Sequence, residues 1–279
     1  MNLSKHEYHR VRDFIYRKAG IFFEDRKLYF VQKRVEKRME ELNLDTPDNY
    51  IRELQFRDPH GEELQAFLNI LTTNETYFFR EFEQLAAFGE SCLTEVCDRK
   101  RKLGNTKLRI WSAGCSTGEE PYTLAIILKE MLEDQKDWLI DILATDINTR
   151  VLNFAKNAVY EPRAIKDVPQ EYLETWFQSF KTNKYTVKPE IKKMCSFQIV
   201  NLMDRSALKQ ITNVDFIFCR NVLIYFDSDS RKRVVSNFFD ILNPGGYIYL
   251  GHSESMTRIS SAFKIRRKGG YIVYQKPEK

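Results

Sequence analysis

The amino-acid sequence predicts an α/β fold in which an open, mostly parallel sheet follows an N-terminal helical bundle and carries a small antiparallel β insertion. Three observations lead to this prediction. Apolar residues recur at helical spacing through residues 4–71. From residue 107 onward, apolar strand-like runs alternate with helical patterns, as they do in open α/β sheets. Two short stretches, 182–189 and 194–200, are consistent with a pair of antiparallel strands.

The composition is that of a globular protein and excludes several functional classes. The chain has 279 residues, 43% of them hydrophobic, and a formal net charge of +5, which is too modest to require a nucleic-acid partner. No run of 18 apolar residues and no signal-peptide core is present, so we expect a cytoplasmic protein without membrane insertion. The five cysteines are scattered and none forms a Cys-x-x-Cys pair, so we expect neither a metal site nor a disulfide framework.

Capping residues, as well as apolar periodicity, predict the N-terminal helices. Ser4 and Glu7 form a capping-box pattern at the start of a helix over residues 4–19, and Gly20 suits its C-terminal end. Further helices are expected near residues 25–42, 47–56 and 61–71. These helices predict a small bundle in which no residue pattern suggests catalysis.

The second predicted helix carries a basic cluster beside its apolar stripe, formed by Lys33, Arg34, Lys37 and Arg38. Like charges at i,i+4 spacing repel each other by a few tenths of a kcal/mol, so the cluster has a small cost. It is consistent either with an ordinary solvated helix face or with a docking surface for an acidic partner.

A polar segment separates the bundle from the α/β part. Residues 72–81 are rich in threonine and contain Asn74, and such residues are poor helix formers. We expect a capped turn there, followed by a helix over about residues 82–99. The predicted domains are therefore 1–85, a helical domain with its linker, and 86–279, the α/β domain with a β insertion at about 180–200.

The stretch 107–122 predicts a strand, a glycine-bearing turn and a helix. The strand residues end at Gly114, Gly118 follows, and Glu119 and Glu120 stand at the start of the helix. Glycines at such a turn allow a ligand to approach the backbone closely. Two carboxylates suit the positive end of the helix dipole but would repel a phosphate.

The same turn restricts the class of ligand. Its spacing is Gly-x-x-x-Gly, which differs from the dinucleotide-binding and P-loop patterns. A ligand with positive charge near the turn, such as S-adenosylmethionine, fits better than NAD, FAD or ATP. An ordinary tight turn with solvated glutamates remains an equally good interpretation of this stretch alone, and the sequence does not distinguish the roles of Glu119 and Glu120.

Asp146 follows the next apolar stretch, 138–144, and lies 28 residues after Gly118. An acidic residue at the end of the second strand commonly accepts hydrogen bonds from ribose hydroxyls. An N-cap for the next helix is the alternative. Because the two glycines and the aspartate support each other, we favour ribose binding.

The rest of the chain continues the α/β pattern. Strands are expected at 214–218 and 247–251, helices at 121–132, 149–157 and 228–242, and a terminal β-ribbon at 263–267 and 271–275. Polar residues that follow a central strand lie at the ligand crevice of such sheets. The segment from Arg220 to Tyr225 is therefore a candidate part of the site.

Four segments together resemble one known family, the CheR-type chemotaxis receptor methyltransferases, which are protein-glutamate O-methyltransferases. They lie in order along nearly the whole chain: 71–81 (Leu-Thr-Thr-Asn-Glu-Thr-Tyr-Phe-Phe-Arg-Glu), 111–122 (Trp-Ser-Ala-Gly-Cys-Ser-Thr-Gly-Glu-Glu-Pro-Tyr), 216–226 (Phe-Ile-Phe-Cys-Arg-Asn-Val-Leu-Ile-Tyr-Phe) and 251–254 (Gly-His-Ser-Glu). The resemblance implies a class I, Rossmann-like S-adenosylmethionine-dependent methyltransferase domain, with S-adenosylhomocysteine as the product of the cofactor.

The resemblance also implies roles for individual residues. By position, it places cofactor contacts at Asn74, Thr76, Arg80, Glu120, Asp146, Asn201, Leu202, Arg220 and Asn221, to which the glycine turn adds Gly114. Arg80 and Tyr225 correspond to the residues beside the transferred methyl group. The helix with Arg34, Lys37 and Arg38 corresponds to a basic docking helix for the acidic helical cytoplasmic region of methyl-accepting chemotaxis receptors.

One departure from the family bears on the partner. Family members that bind a receptor's C-terminal peptide have a glycine in the β insertion, whereas residues 179–196 contain none. We therefore expect docking without a peptide tether.

The implied reaction is methyl transfer to receptor glutamates. It needs no general base, since a glutamate side chain with a pKa near 4.3 is already an anion at neutral pH. Two alternatives remain: a non-catalytic cofactor-binding regulator, and a nucleic-acid methyltransferase. The second is disfavoured by Asn221-Val222-Leu223, which replaces the Asn/Asp-Pro-Pro-aromatic loop common in amino-group methylation of bases.

Overall fold

The computed structural model describes residues 3–278 and confirms a helical bundle followed by an α/β domain. The bundle consists of α1 (Lys5–Ala19), α2 (Leu28–Leu42), α3 (Pro47–Arg52) and α4 (Glu62–Leu71). Val31, Val35 and Met39 of α2 are buried and pack with Tyr50 and Phe67, as the apolar stripe predicts.

The first helix has the predicted ends. The Ser4 hydroxyl accepts a hydrogen bond from the Glu7 N–H at 3.2 Å, and the Glu7 carboxylate accepts one from the Ser4 N–H at 2.9 Å. Gly20 follows the helix with φ of 71°, a left-handed conformation that glycine adopts without strain. The capping box and the glycine stop are thus confirmed.

The α/β domain alternates helices and strands. Its helices are α5 (Phe82–Ala87), α6 (Leu93–Lys102), α7 (Glu119–Met131), α8 (Thr149–Asn157), α9 (Gln170–Trp176), α10 (Pro189–Lys192), α11 (Arg205–Leu208) and α12 (Ser228–Ile241). Its strands are β1 (Lys107–Ala113), β2 (Leu139–Asp146), β3 (Val159–Tyr160), β4 (Phe177–Lys181), β5 (Lys184–Val187), β6 (Cys195–Ile199), β7 (Val214–Cys219), β8 (Leu242–Leu250), β9 (Lys264–Lys268) and β10 (Tyr271–Gln275).

Seven of these strands form one sheet in the order β6-β2-β1-β7-β8-β10-β9. The first five are parallel, while β10 and β9 form the predicted terminal antiparallel ribbon. Alternate residues of the central strands face different cores, so Phe216 and Phe218 of β7 join one cluster and Ile217 and Cys219 join the other. Burial on both faces explains why these strands are continuously apolar.

The predicted β insertion is wrong in one respect. Residues 195–199 form β6, which pairs in parallel with β2 of the main sheet, with Ile199 opposite Asp146. The small antiparallel sheet has the order β3-β5-β4 and starts earlier, at Val159. A short apolar stretch predicts a strand but not its partner, because strand pairing depends on contacts distant in sequence.

The two domains share a polar and backbone interface. The Phe22 N–H donates to the Tyr225 carbonyl at 2.9 Å, next to an antiparallel bridge between Ile21 and Phe226. The Tyr16 hydroxyl donates to the Asp227 carboxylate at 3.0 Å. These contacts attach the end of α1 to the loop after β7.

The boundary between the two hydrophobic cores falls between Leu71 and Phe78. Leu71 belongs to the bundle core, whereas Phe78, Phe79 and Leu85 pack into the α/β core. The predicted domain boundary at residue 85 stays a prediction, and the segment expected to be a linker contributes to the second core.

Within residues 3–278, no helix is both long enough and apolar enough to cross a membrane.

A buried ion pair joins α6 to the beginning of β7. Lys100 Nζ donates to both carboxylate oxygens of Asp215, at 2.7 and 2.6 Å, and Asp215 also accepts from the Arg109 N–H and the Asn243 amide. Lys100 and Asp215 are 7% and 1% exposed. Removing one partner of such a pair leaves an uncompensated buried charge.

We expect Lys100→Met to lower the free energy of unfolding by about 3–5 kcal/mol, because Asp215 keeps its buried charge without the cation. Equilibrium urea denaturation measures this loss. Lys102→Met, at an exposed position of the same helix, is the control and should change the free energy by less than about 0.5 kcal/mol. A loss below about 1 kcal/mol for Lys100→Met would mean that the remaining donors alone satisfy Asp215.

Candidate functional site

A cavity of about 220 Å³ lies at the carboxyl ends of the parallel strands, where the α/β domain meets the bundle. The loops after β1, β2, β6 and β7 form its floor, and Ala19 and Ile21 from the bundle form part of its wall. Residues 71–77 and Arg80 close another side. Crevices at this edge of open α/β sheets are the usual ligand sites.

The predicted cofactor and catalytic residues meet in this cavity. Its lining includes Asn74, Thr76, Arg80, Gly114, Glu120, Asp146, Asn201, Leu202, Arg220, Asn221 and Tyr225. These eleven residues come from segments separated by up to 151 positions in the chain, from Asn74 to Tyr225. Their individual roles stay predictions.

Asp146 orders the first two loops of the site. Its carboxylate accepts hydrogen bonds from the Ser116 N–H and the Asn148 N–H, both at 2.9 Å. Burial raises the pKa of Asp146, and the two backbone donors oppose this rise. Asn148, rather than Asp146, is the N-cap of α8, so the simple capping role considered from the sequence is not the one observed.

The glycine turn is shaped by packing as well as by backbone conformation. Gly114 has φ of 89°, and a Cβ built there would lie 2.4 Å from Val222, which also lines the cavity. Gly118 has φ of 94°, and its Cβ would lie 2.8 Å from Ala155 of α8. Both positions therefore require glycine: Gly114 leaves room for Val222 in the cavity wall, and Gly118 lets α8 pack against the turn.

The two glutamates of the turn have different positions. Glu120 lines the cavity, where its carboxylate accepts from the Ser112 hydroxyl at 2.7 Å and lies 3.2 Å from Arg220 Nη1. The Glu119 carboxylate accepts from the Thr117 hydroxyl at 2.6 Å. Burial raises the pKa of both carboxyl groups, while Arg220 opposes the rise for Glu120.

Arg220 connects three segments of the site. Besides Glu120, its guanidinium contacts the Glu81 carboxylate at 3.4 Å and donates to the carbonyl of Arg80. Its Nε is buried and has no hydrogen-bond partner within residues 3–278. This buried nitrogen is therefore an unmet donor inside the wall of the cavity.

The segment that carries Arg80 is held in an unusual backbone conformation. Phe79 and Glu81, on either side of Arg80, both have φ of 57°. Positive φ is uncommon outside glycine, and for a bulky residue such as phenylalanine it is an outlier that surrounding contacts must maintain. The Phe79 N–H donates to the Thr123 hydroxyl at 3.2 Å, and Arg80 Nη1 donates to the Glu75 carbonyl at 2.8 Å.

Tyr225 lies on the same side of the cavity. Its hydroxyl donates to the Thr73 carbonyl at 3.1 Å. Burial raises the pKa of Tyr225, although the hydrogen bond with Thr73 and the nearby charge of Arg80 lower it in part. The phenol therefore stays protonated at neutral pH and is a hydrogen-bond donor.

Asn201 is engaged with the protein itself. Its amide donates to the Lys18 carbonyl at 2.7 Å and accepts from the Met203 N–H at 2.9 Å. It lines the cavity while it links the loop after β6 to the end of α1.

The basic cluster on α2 is less uniform than the sequence suggests. Arg38 is 7% exposed, and its guanidinium is paired with Glu63 at 2.5 Å and with Glu41. Arg34 stacks on the Phe30 ring at 3.6 Å, whereas Lys37 is exposed. The expectation that Arg38 presents its charge to a partner is therefore corrected: helical periodicity does not reveal that α4 supplies a buried carboxylate beside it.

Several site residues had no signal in the sequence. Ala19 and Ile21 reach the cavity only because the bundle packs against the loop after β7. Ser116 lines the cavity with φ of 49°, which local sequence does not predict for a serine. Ser112 lies outside the cavity lining and contributes only through its bond to Glu120, which the sequence does not predict.

Within the described part of the chain, no three histidine, cysteine, aspartate or glutamate residues are grouped so that they can hold a metal ion.

Comparison with known proteins agrees with this architecture. Residues 6–72 match the family described as "CheR methyltransferase, all-alpha domain", and residues 74–271 match "CheR methyltransferase, SAM binding domain". The chain is 41% identical to chemotaxis protein methyltransferase 2 of Vibrio cholerae over 273 residues, which cover 98% of this chain and 93% of that protein.

A second relative and a solved structure extend the comparison. The chemotaxis protein methyltransferase of Borreliella burgdorferi is 33% identical over 257 residues, or 92% of this chain and 90% of that protein. A solved SAM-dependent methyltransferase from Methanosarcina mazei is 17% identical, with a TM-score of 0.32 over 62% of this chain and 74% of that one.

Proposed function

Because this chain belongs to the CheR methyltransferase family, we propose that it transfers the methyl group of S-adenosylmethionine to glutamate side chains of chemoreceptors. The observation that carries the proposal is the convergence of all eleven predicted cofactor and catalytic residues on one cavity. The two similar proteins are both named for chemotaxis, which supports receptors as the substrate class.

The residues of the cavity fit S-adenosylmethionine in charge and hydrogen-bonding capacity. Glu120 offers a carboxylate for the ammonium group, and Asp146 offers one for ribose hydroxyls, since each carboxylate oxygen accepts more than one hydrogen bond. Arg220 lines the cavity and offers a cation that suits the ligand's carboxylate. The bound cofactor would supply an activated methyl group on a sulfonium.

The protein's own contribution to catalysis is alignment of the acceptor. A glutamate acceptor is ionised at neutral pH, so no side chain has to remove a proton. In this proposal Arg80 orients the acceptor carboxylate. Tyr225 shapes the methyl pocket, or donates a hydrogen bond to the ligand in place of its bond to the Thr73 carbonyl. Positioning of reacting groups can lower a barrier by roughly 7–11 kcal/mol in ideal cases, which leaves no need for acid–base catalysis.

Methyl transfer to receptors is testable with labelled cofactor. Purified protein, receptor-containing membranes and methyl-labelled S-adenosylmethionine should give labelled receptor, and mild alkali should release the label as expected for a methyl ester. Tyr225→Phe should lower kcat by roughly 2- to 12-fold, the worth of one neutral hydrogen bond. Label in nucleic acid, or cofactor binding without any transfer, would instead support the two alternative functions.

Glu120 should make cofactor affinity depend on pH. Burial raises its pKa, so acidification protonates it at a higher pH than an exposed glutamate, and the attraction to the ligand ammonium is lost as pH falls through that pKa. We expect Glu120→Gln to weaken S-adenosylhomocysteine binding by about 10- to 150-fold at pH 7.5 and to flatten the pH profile, measured by calorimetry from pH 8 to 5.

Glu119→Gln is the matched control for this measurement. Glu119 is a buried neighbour whose carboxylate binds Thr117, so its replacement should leave the dissociation constant within about twofold. Equal losses for the two variants, or no loss for Glu120→Gln, would contradict the assignment of Glu120 to the ammonium.

For receptor docking we propose the exposed part of the basic cluster on α2. Lys37 is exposed, and Arg34 is partly exposed beside it, whereas Arg38 serves the bundle. An acidic helical surface would meet these cations with an attraction that salt screens over about 10 Å at 0.1 M.

The hairpin between β4 and β5 turns at Asn183 and contains no glycine, so we keep docking without a peptide tether as part of the proposal. Calorimetric binding of a receptor-tail peptide would contradict it.

Lys37→Glu should raise the KM for receptor roughly 2- to 5-fold at low salt, because it replaces an attraction with a repulsion. The effect should shrink as salt rises, and the affinity for S-adenosylhomocysteine should not change. Lys209→Glu makes the same charge change at an exposed position away from α2 and is the control. If both variants behave alike, the docking surface lies elsewhere.

A further inference from the structure

The loop after β8 carries a carboxylate whose role the proposed mechanism leaves open. Glu254 accepts hydrogen bonds from three backbone N–H groups: those of Gly251 at 2.7 Å, Asn221 at 2.8 Å and Ile224 at 3.2 Å. Gly251 belongs to the loop after β8, whereas Asn221 and Ile224 belong to the loop after β7. One side chain therefore fixes two loops to each other.

The loop that Glu254 holds is a wall of the cavity. Asn221, Val222, Ile224 and Tyr225 all line the cavity. Asn221 has φ of 59°, a left-handed conformation that asparagine adopts more readily than most residues. Its N–H is bound by one oxygen of Glu254, and the other oxygen binds the residue before Tyr225.

The approach of the two loops is close. A Cβ built on Gly251 would lie 2.7 Å from both the backbone nitrogen and the side-chain nitrogen of Asn221. The lack of a side chain at this position is thus what lets Asn221 reach its place.

A second contact from the same loop reaches Arg220. The His252 N–H donates to one oxygen of Glu81 at 3.2 Å, and the other oxygen lies 3.4 Å from Arg220 Nη2. Residues 251–254 therefore support both Arg220 and Asn221. This arrangement accounts for a sequence segment that matches the family but that lies outside the cavity lining.

We propose that Glu254 is a positioning residue for the methyl-transfer site, which it serves by holding the backbone of Asn221 and Ile224 so that Asn221 and Tyr225 face the cavity. A carboxylate is suited to this task because both oxygens only accept hydrogen bonds. A carboxamide of the same shape presents an NH2 group to one of the three N–H donors, so at least one bond is replaced by a repulsive contact. The inference rests on the proposed function for its ligand.

The test compares Glu254→Gln with the wild-type chain at a temperature where both are fully folded. We expect the dissociation constant for S-adenosylhomocysteine, measured by calorimetry, to rise about fivefold or more, and kcat for receptor methylation to fall by at least as much. Lys100→Met controls for stability, because it weakens the opposite end of β7. It should lower the unfolding midpoint and leave both constants within about twofold.

Gly251→Ala provides an independent route to the same displacement. Its added methyl group pushes on Asn221 without changing any charge, and we expect the same joint loss of affinity and kcat. If Glu254→Gln does not fold, the affinity and kcat of Gly251→Ala test the inference in its place.

The outcomes separate this inference from the proposed function. If the wild-type chain does not bind S-adenosylhomocysteine, the proposed function fails. If it binds, and Glu254→Gln or Gly251→Ala lowers only the unfolding midpoint, Glu254 is merely structural and the inference fails alone.

Discussion

The carboxylate of Asp146 binds the Ser116 N–H and the Asn148 N–H, and the glycine turn and the contact between the domains both depend on this pair of bonds. Ser116 is thereby held at positive φ beside the cavity. Asn148 in turn donates to the Thr72 hydroxyl at 2.7 Å and to the Asn69 carbonyl at 3.0 Å. A single buried acid at the end of β2 thus orders the loop after β1 and the end of α4.

The buried carboxylates of this region are stabilised by different hydrogen-bond donors at each position. Asp146 relies on backbone N–H groups, whereas Glu120 relies on Ser112 and the cation of Arg220. Because Arg220 offsets Glu120, the turn is less hostile to negative charge than its two adjacent glutamates imply. Burial still raises the pKa of both acids, so each carboxylate costs stability at neutral pH, and that cost falls as pH decreases through the folded-state pKa.

The parts of the structure that local chemistry determines could be predicted from the sequence. The ends of α1, the glycine turn, the strand that ends at Asp146 and the terminal ribbon each have a pattern within a short window. The parts that depend on distant packing could not. The pairing of β6 with β2, the burial of Arg38 against Glu63 and the entry of Ile21 into the cavity all join segments far apart in the chain. The family resemblance predicted which residues gather in the cavity, but not which of them are already bound to the protein.

The cavity has walls from both domains, with Ala19 and Ile21 on one side and the loops of the sheet on the other. A molecule that fills the cavity contacts both domains and therefore stabilises their association. By mass action, a ligand present at 100 times its dissociation constant stabilises the loaded form by about 2.7 kcal/mol. The loaded protein accordingly melts more nearly as one cooperative unit. Residues 72–77, which join the two cores and line the cavity, are then held by the ligand as well as by the protein.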